Sequence, residues 1–186
     1  MLSTIFSRRS IRSYLPNEVD SGTVKVLLEA AVLAPTAMHE EPWAFVIVQN
    51  RQTLKQLSDL AKPLFLERLH YSPPKGGQMP DASANPDFDI FHGAGILIII
   101  CSQATGPFVE ADCWLAAENM MLEACALGLG SCVIGSATAI LNTTQVKAML
   151  GIPAEFDAVA PIILGVPREI PAPTSRNPPL ILAWNQ

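Results

Sequence analysis

Apolar positions first recur at helical spacing at Val24, Leu27, Leu28 and Ala31, just after Asp20 and Ser21. Either polar residue can accept the free amide protons of a first turn, so the pattern predicts a capped helix that Pro35 ends. Trp43 to Val48 is an aromatic and β-branched run, the mark of a buried strand. Leu54, Leu57 and Leu60 then indicate a short second helix. Between Lys62 and His92 the periodicity fails: Pro63, Pro73, Pro74, Gly76, Gly77, Pro80 and Pro86 interrupt it. An irregular loop or lid is expected over 62–92, because proline and glycine both break regular elements.

Beyond that gap, Ile96 to Cys101 is apolar at every position, as expected for a central strand covered on both faces. Glu110 to Leu129 reads as the longest helix, apolar nearly all round and therefore buried on more than one side. Gly128 and Gly130 close it, and Ser131 to Ile134 resumes extended chain. A last helix is expected over Gln145 to Leu150, ended by Gly151 and Pro153, and a last strand over Ala158 to Leu164. The proline-rich stretch from Pro167 to Pro179 should cross the surface before a final apolar segment, Leu180 to Trp184. Helices and strands interleave irregularly, and no G-x-G-x-x-G follows a strand. The expected class is therefore α+β, a sheet flanked by helices, rather than a Rossmann fold.

At 186 residues the chain fits one domain, taken here as 1–186. Hydrophobic residues make up 49% and charged residues 16%, which is lean in charge for a monomer that meets water on all sides. A net charge of −5 argues against general nucleic-acid binding, which needs a basic patch to meet phosphates. No apolar run approaches the roughly 18 residues that a membrane span requires, so a soluble, cytoplasmic protein is expected. Residues 1–17 are rich in Ser and Arg and lack acids, like a transit peptide, yet Pro16-Asn17-Glu18 leads straight into the first helix. Cys101, Cys113, Cys125 and Cys132 lack metal-ligand spacing and read as small buried side chains.

Three of the twelve basic residues crowd into Arg8-Arg9-Ser10-Ile11-Arg12. Guanidinium forks and a hydroxyl suit a phosphate or a carbonyl-rich ring edge, although alone the cluster reads as a solvated basic arm. In an extended stretch, Arg8, Ser10 and Arg12 would share one face. Ala34 to Trp43 is a helix exit, turn and strand start, and could equally be plain loop chemistry. The glycine-punctuated run Gly128 to Gly135 could bring main-chain amides to a ligand or simply cap a helix. His39 has no partner in sequence, and no G-x-S-x-G or other nucleophile motif is present.

Together these segments resemble the nitroreductase family of flavoenzymes. Arg8 to Tyr14 is similar to its opening arginine-serine motif, and Ala34-Pro35-Thr36-Ala37 follows in register after the first helix. Pro42 to Val46, Asp112 to Ala126, Gly128 to Gly135, Ile152-Pro153 and Leu164-Gly165-Val166-Pro167 continue the match. The resemblance implies a mixed, largely antiparallel sheet and a homodimer with FMN at the subunit interface. It implies that Arg8, Arg9, Ser10 and Arg12 hold phosphate, ribityl or pyrimidine edge, with Arg176 completing the phosphate site. Pro35, Thr36, Ala37, Met38 and His39 would lie beside the ring, and Val133, Ile134 and Gly135 would offer backbone contacts near N5. It implies ping-pong hydride transfer from NAD(P)H through FMN to a small-molecule acceptor such as a nitroaromatic or quinone, with no catalytic side chain and no metal. Another reaction on the same fold (dehydrogenase, deiodinase or flavin-modifying enzyme), or a non-catalytic flavin-binding sensor, stays open. Family members often carry Asn where His39 stands and Gln where Glu41 stands.

Overall fold

The computed structural model describes residues 3–71, 88–103 and 105–185. Its helices are α1 (Ser3–Ser7), α2 (Ser21–Val32), α3 (Arg51–Tyr71), α4 (Val109–Ala126), α5 (Thr138–Leu141) and α6 (Thr144–Leu150). Its strands are β1 (Trp43–Val48), β2 (Ile96–Ser102), β3 (Gly130–Val133) and β4 (Asp157–Gly165). They form a sheet in the order β1-β2-β4-β3, and each neighbouring pair is antiparallel.

Strand β2 is buried at every position, and its alternating side chains feed two separate layers. Leu97, Ile99 and Cys101 pack with Leu54, Leu57 and Ala61 of α3 and with Leu141 and Val146 of α5 and α6. Ile96, Ile98 and Ile100 pack with Leu27 and Ala31 of α2 and with Cys113, Ala116 and Met120 of α4. The sheet is thus sandwiched between helices, which is why β2 could be read as a continuous apolar run. Helix α4 lies between sheet and α2, yet Leu115 on its outer side stays 45% exposed.

Local signals set most boundaries. Asp20 caps α2, its carboxylate accepting from the Thr23 amide at 2.9 Å and the Thr23 hydroxyl at 2.6 Å. Thr143 caps α6, and Gly151 ends it in the left-handed region at φ 69°. The strand expected over Ser131 to Ile134 instead ends at Val133, and α5 was not anticipated.

The expected irregular segment over 62–92 needs correction at its start. Helix α3 runs through Pro63 to Tyr71. Proline forfeits one helical hydrogen bond there, but Leu57, Leu60, Ala61 and Phe65 keep packing on the same core across it. Packing outweighs the local break. Positions 72–87 lie outside the described residues. No helix among the described residues is long and apolar enough to cross a membrane.

Candidate functional site

The arginine segment is placed by a strand edge. After α1 the chain extends beside β3: Ser10 and Ser131 form a parallel bridge, and the Ile11 amide donates to the Ser131 carbonyl at 3.0 Å. Ile11 and Tyr14 point inward and are buried, and the Tyr14 hydroxyl donates to the Ile11 carbonyl at 2.8 Å. Burial raises the Tyr14 pKa, so that hydroxyl stays a donor. The approach needs Gly130, because a Cβ there would stand 2.6 Å from Ile11 Cγ1 and 2.8 Å from its Cβ. Residues 10–14 are therefore part of the fold.

Anchoring the apolar residues turns the polar ones outward into a cavity of 470 Å³ lined by Arg8, Arg9, Ser10, Arg12, Thr174 and Arg176, with Ile5, Phe6 and Pro171–Pro173 as apolar wall. The expected meeting of the first arginines with Arg176, more than 160 positions away, is thus present in the geometry. No carboxylate lines this cavity. Arg8 Nε meets Glu118 Oε1 of α4 at 3.4 Å from behind, and Arg9 Nη1 donates to the carbonyls of Phe6 at 2.5 Å and Arg8 at 2.8 Å. Four guanidinium groups converging without an acid make an anion site, and their forked donors suit a phosphate monoester.

A second cavity of 350 Å³ shares Arg12. One wall is Val133, Ile134, Gly135 and Ser136; the other is Phe65, Phe88, Ile90 and His92. Phe65 and Phe88 stack with centroids 5.8 Å apart, and His92 stands edge-on to Phe88 at 6.3 Å. Asp89 shapes this wall by accepting from the amides of Phe91 at 2.9 Å and Gly93 at 2.8 Å, holding His92 at φ 55°. Burial, and then the charge of Arg12, lower the His92 pKa, against the pull of Asp89. The imidazole is therefore neutral at pH 7.

The three backbone positions expected to serve a ligand differ here. Val133 is engaged in the β3–β4 ladder, and the Ile134 amide already donates to the Pro161 carbonyl at 2.9 Å. The Ile134 N–H is therefore already engaged within the fold. Gly135 heads a 3-10 turn, so its amide has no partner within that turn, and a Cβ there would meet nothing within 4 Å. It is the one of the three whose backbone faces open space.

Pro35, Thr36, Ala37, Met38 and His39 line neither cavity within one protomer. They form the exit of α2 and a 3-10 turn in which Met38 and His39 take φ values of 54° and 57°, followed by Glu41 at 45°. Such left-handed conformations cost non-glycine residues about 1 kcal/mol or more each. What holds the turn is Asp112, buried at the start of α4, whose carboxylate accepts from the Ala37 amide at 3.1 Å. Met38 is 89% exposed at its tip.

Sequence reasoning missed Asp112, Glu118, Phe65, Phe88, Ile90 and His92 as neighbours of these sites. Of the two acids in the first turn of this apolar helix, Glu110 and Asp112, the second sits among its apolar positions and could have been flagged. Phe65, Phe88 and His92 fell within the stretch expected to be irregular.

The chain matches the Nitroreductase family over residues 5–166. It belongs to that family. A provisional NADH dehydrogenase/NAD(P)H nitroreductase of Archaeoglobus fulgidus is 29% identical over 173 residues, 90% of this chain and 86% of the relative. A 5,6-dimethylbenzimidazole synthase of Rhodospirillum rubrum is 30% identical, covering 87% of this chain and 79% of the relative. Among solved structures, a nitroreductase with bound FMN from Bacteroides fragilis superposes with a TM-score of 0.77 at 26% identity, covering 95% of this chain and 93% of that one. Nitroreductases thus share the α+β architecture, including the antiparallel sheet, seen in this chain.

Proposed function

We propose that this nitroreductase is an FMN-dependent NAD(P)H oxidoreductase that works as a homodimer. The carrying observation is Arg12, which lines both cavities: a ligand with its phosphate among Arg8, Arg9, Ser10, Arg12 and Arg176 can extend a planar ring into the neighbouring space. The cavities, 470 and 350 Å³, fall within the range of about 300–1,000 Å³ usual for cofactor sites. The FMN bound by the Bacteroides fragilis nitroreductase supports the same cofactor here.

When bound, FMN supplies two-electron transfer between NAD(P)H and an organic acceptor, a nitroaromatic or quinone, in a ping-pong sequence. The chain's own residues bind and orient. The arginines neutralise the phosphate, Gly135 gives close backbone access, and neutral His92 with Phe65 and Phe88 walls the ring space from water. Pro35 to His39 lie outside both cavities of their own protomer, and we assign them to the site of the partner subunit.

An absorbance spectrum tests this reading. Protein purified with added FMN should show near-ultraviolet and blue flavin bands, bleached by NADH or NADPH under argon and restored by menadione or nitrofurazone. Protein that stays colourless overturns it. Bound flavin that neither pyridine nucleotide bleaches favours a non-catalytic flavin sensor.

A further inference from the structure

Behind the arginine segment lies a third, smaller cavity of 180 Å³, bounded by Ser7, Arg8, Arg9, Cys125, Gly130 and Ser131, with Ile11, Leu129 and Ile170 as apolar wall. Among the described residues, two buried side-chain polar atoms have no hydrogen-bond partner in the protein: Arg9 Nε and Ser131 Oγ. Both residues line this cavity. Ser131 is only 1% exposed, so its hydroxyl cannot be satisfied by bulk solvent.

We infer that this cavity is a structural water site, in which a bound water accepts from Arg9 Nε–H and hydrogen-bonds Ser131 Oγ, and that Ser131 thereby positions Arg9 for its anion. The donor and acceptor count favours water over other small occupants. Arg9 Nε can only donate, the serine hydroxyl can do either, and water offers both functions. The cavity greatly exceeds the space that one water requires.

The consequence lies in the guanidinium plane. Arg9 Nη1 is held by the carbonyls of Phe6 and Arg8, and the water holds Nε. Two fixed edges of a rigid planar fork leave Nη2, which makes no hydrogen bond among the described residues, aimed by the other two. Arg9 borders both this cavity and the arginine-lined one, so the water behind it orders the donor in front. This second step rests on the FMN reading; the water site itself does not.

Ser131→Thr and Ser131→Val test it as a pair of nearly equal shape that differs in the hydroxyl. Both are at home in a strand. A high-resolution crystal structure of the FMN-free protein should show a water within hydrogen-bonding distance of Arg9 Nε and Oγ of residue 131 in wild type and Ser131→Thr. FMN titration should find Ser131→Thr within about twofold of wild type and Ser131→Val weaker by about fivefold to tenfold, the loss of one bond in a charged network. Absence of that water in wild type overturns the site. Equal FMN affinities for the two variants overturn the positioning role. If wild type binds no FMN at all, the FMN reading and the positioning role fall together, and the crystallographic result still decides the water.

Discussion

Arg12 stands between two cavities, and its charge reaches His92 across one of them. At this scale pH is the informative variable. The folded state lowers the His92 pKa, by burial first and Arg12 second, below the unfolded value of about 6.5. The unfolded chain therefore takes up the proton first as pH falls. Stability is full above about pH 6.5 and declines below it. The melting temperature should fall between pH 7.5 and pH 5, and His92→Phe, which keeps the ring against Phe88, should flatten that dependence. An identical pH profile in the variant would show that His92 contributes nothing to it. His92 gives no signal in the sequence, because its environment is made by Arg12, far off in the chain, and by an Asp89 turn that local pattern does not reveal. The arginine cluster was legible only through the other motifs that carry the family resemblance, since Arg8, Arg9 and Arg12 alone read as a solvated basic arm.

At the scale of elements, the site depends on how closely the arginine segment lies against β3. Gly130→Ala places a Cβ 2.6 to 2.9 Å from three atoms of Ile11, one of them the Ile11 Cβ itself, which rotamer change cannot move aside. The segment must shift, costing about 1–3 kcal/mol of stability as overpacking does. It should weaken FMN binding as well, although the substituted residue touches no ligand. Urea unfolding and FMN titration check the two effects; wild-type values in both would mean that Ile11 relaxes freely. Strands β1, β2 and β4 and helices α2 and α6 were readable within a residue or two, since each carries its own periodicity and caps, whereas α4 ends at Ala126, three residues short of the expected Leu129. Helix α3 was not. Pro63 is a local stop signal, and only tertiary contacts made by Phe65 and its neighbours override it. The bends at Met38, His39 and Glu41 were equally invisible, since it is the distant carboxylate of Asp112 that pins the turn.

For the whole molecule, the proposed site is divided between chains: arginines and Gly135 from one protomer, the Pro35 to His39 turn from the other. Arg12→Ala and Ala37→Trp should each abolish most FMN binding in their own homodimers. Co-expressed with different tags and isolated as mixed dimers, the two chains should recover one FMN per dimer, because one site then inherits both intact halves. Were each site built within a single chain, both would carry one lesion and no flavin would return. Flavin absorbance per protein mass distinguishes these outcomes.

The bridge from Ile11 to Ser131 gives the site a built-in reporter. Strand β3 is an edge strand, and on its outer side the arginine segment attaches through that amide. Any ligand that grips Arg8, Arg9 and Arg12 must also steady the Ile11 N–H, by linkage between occupancy and local opening. Hydrogen–deuterium exchange at this single amide should therefore slow in step with phosphate-site occupancy. A colourless fragment or inorganic phosphate could then be detected there as readily as a flavin.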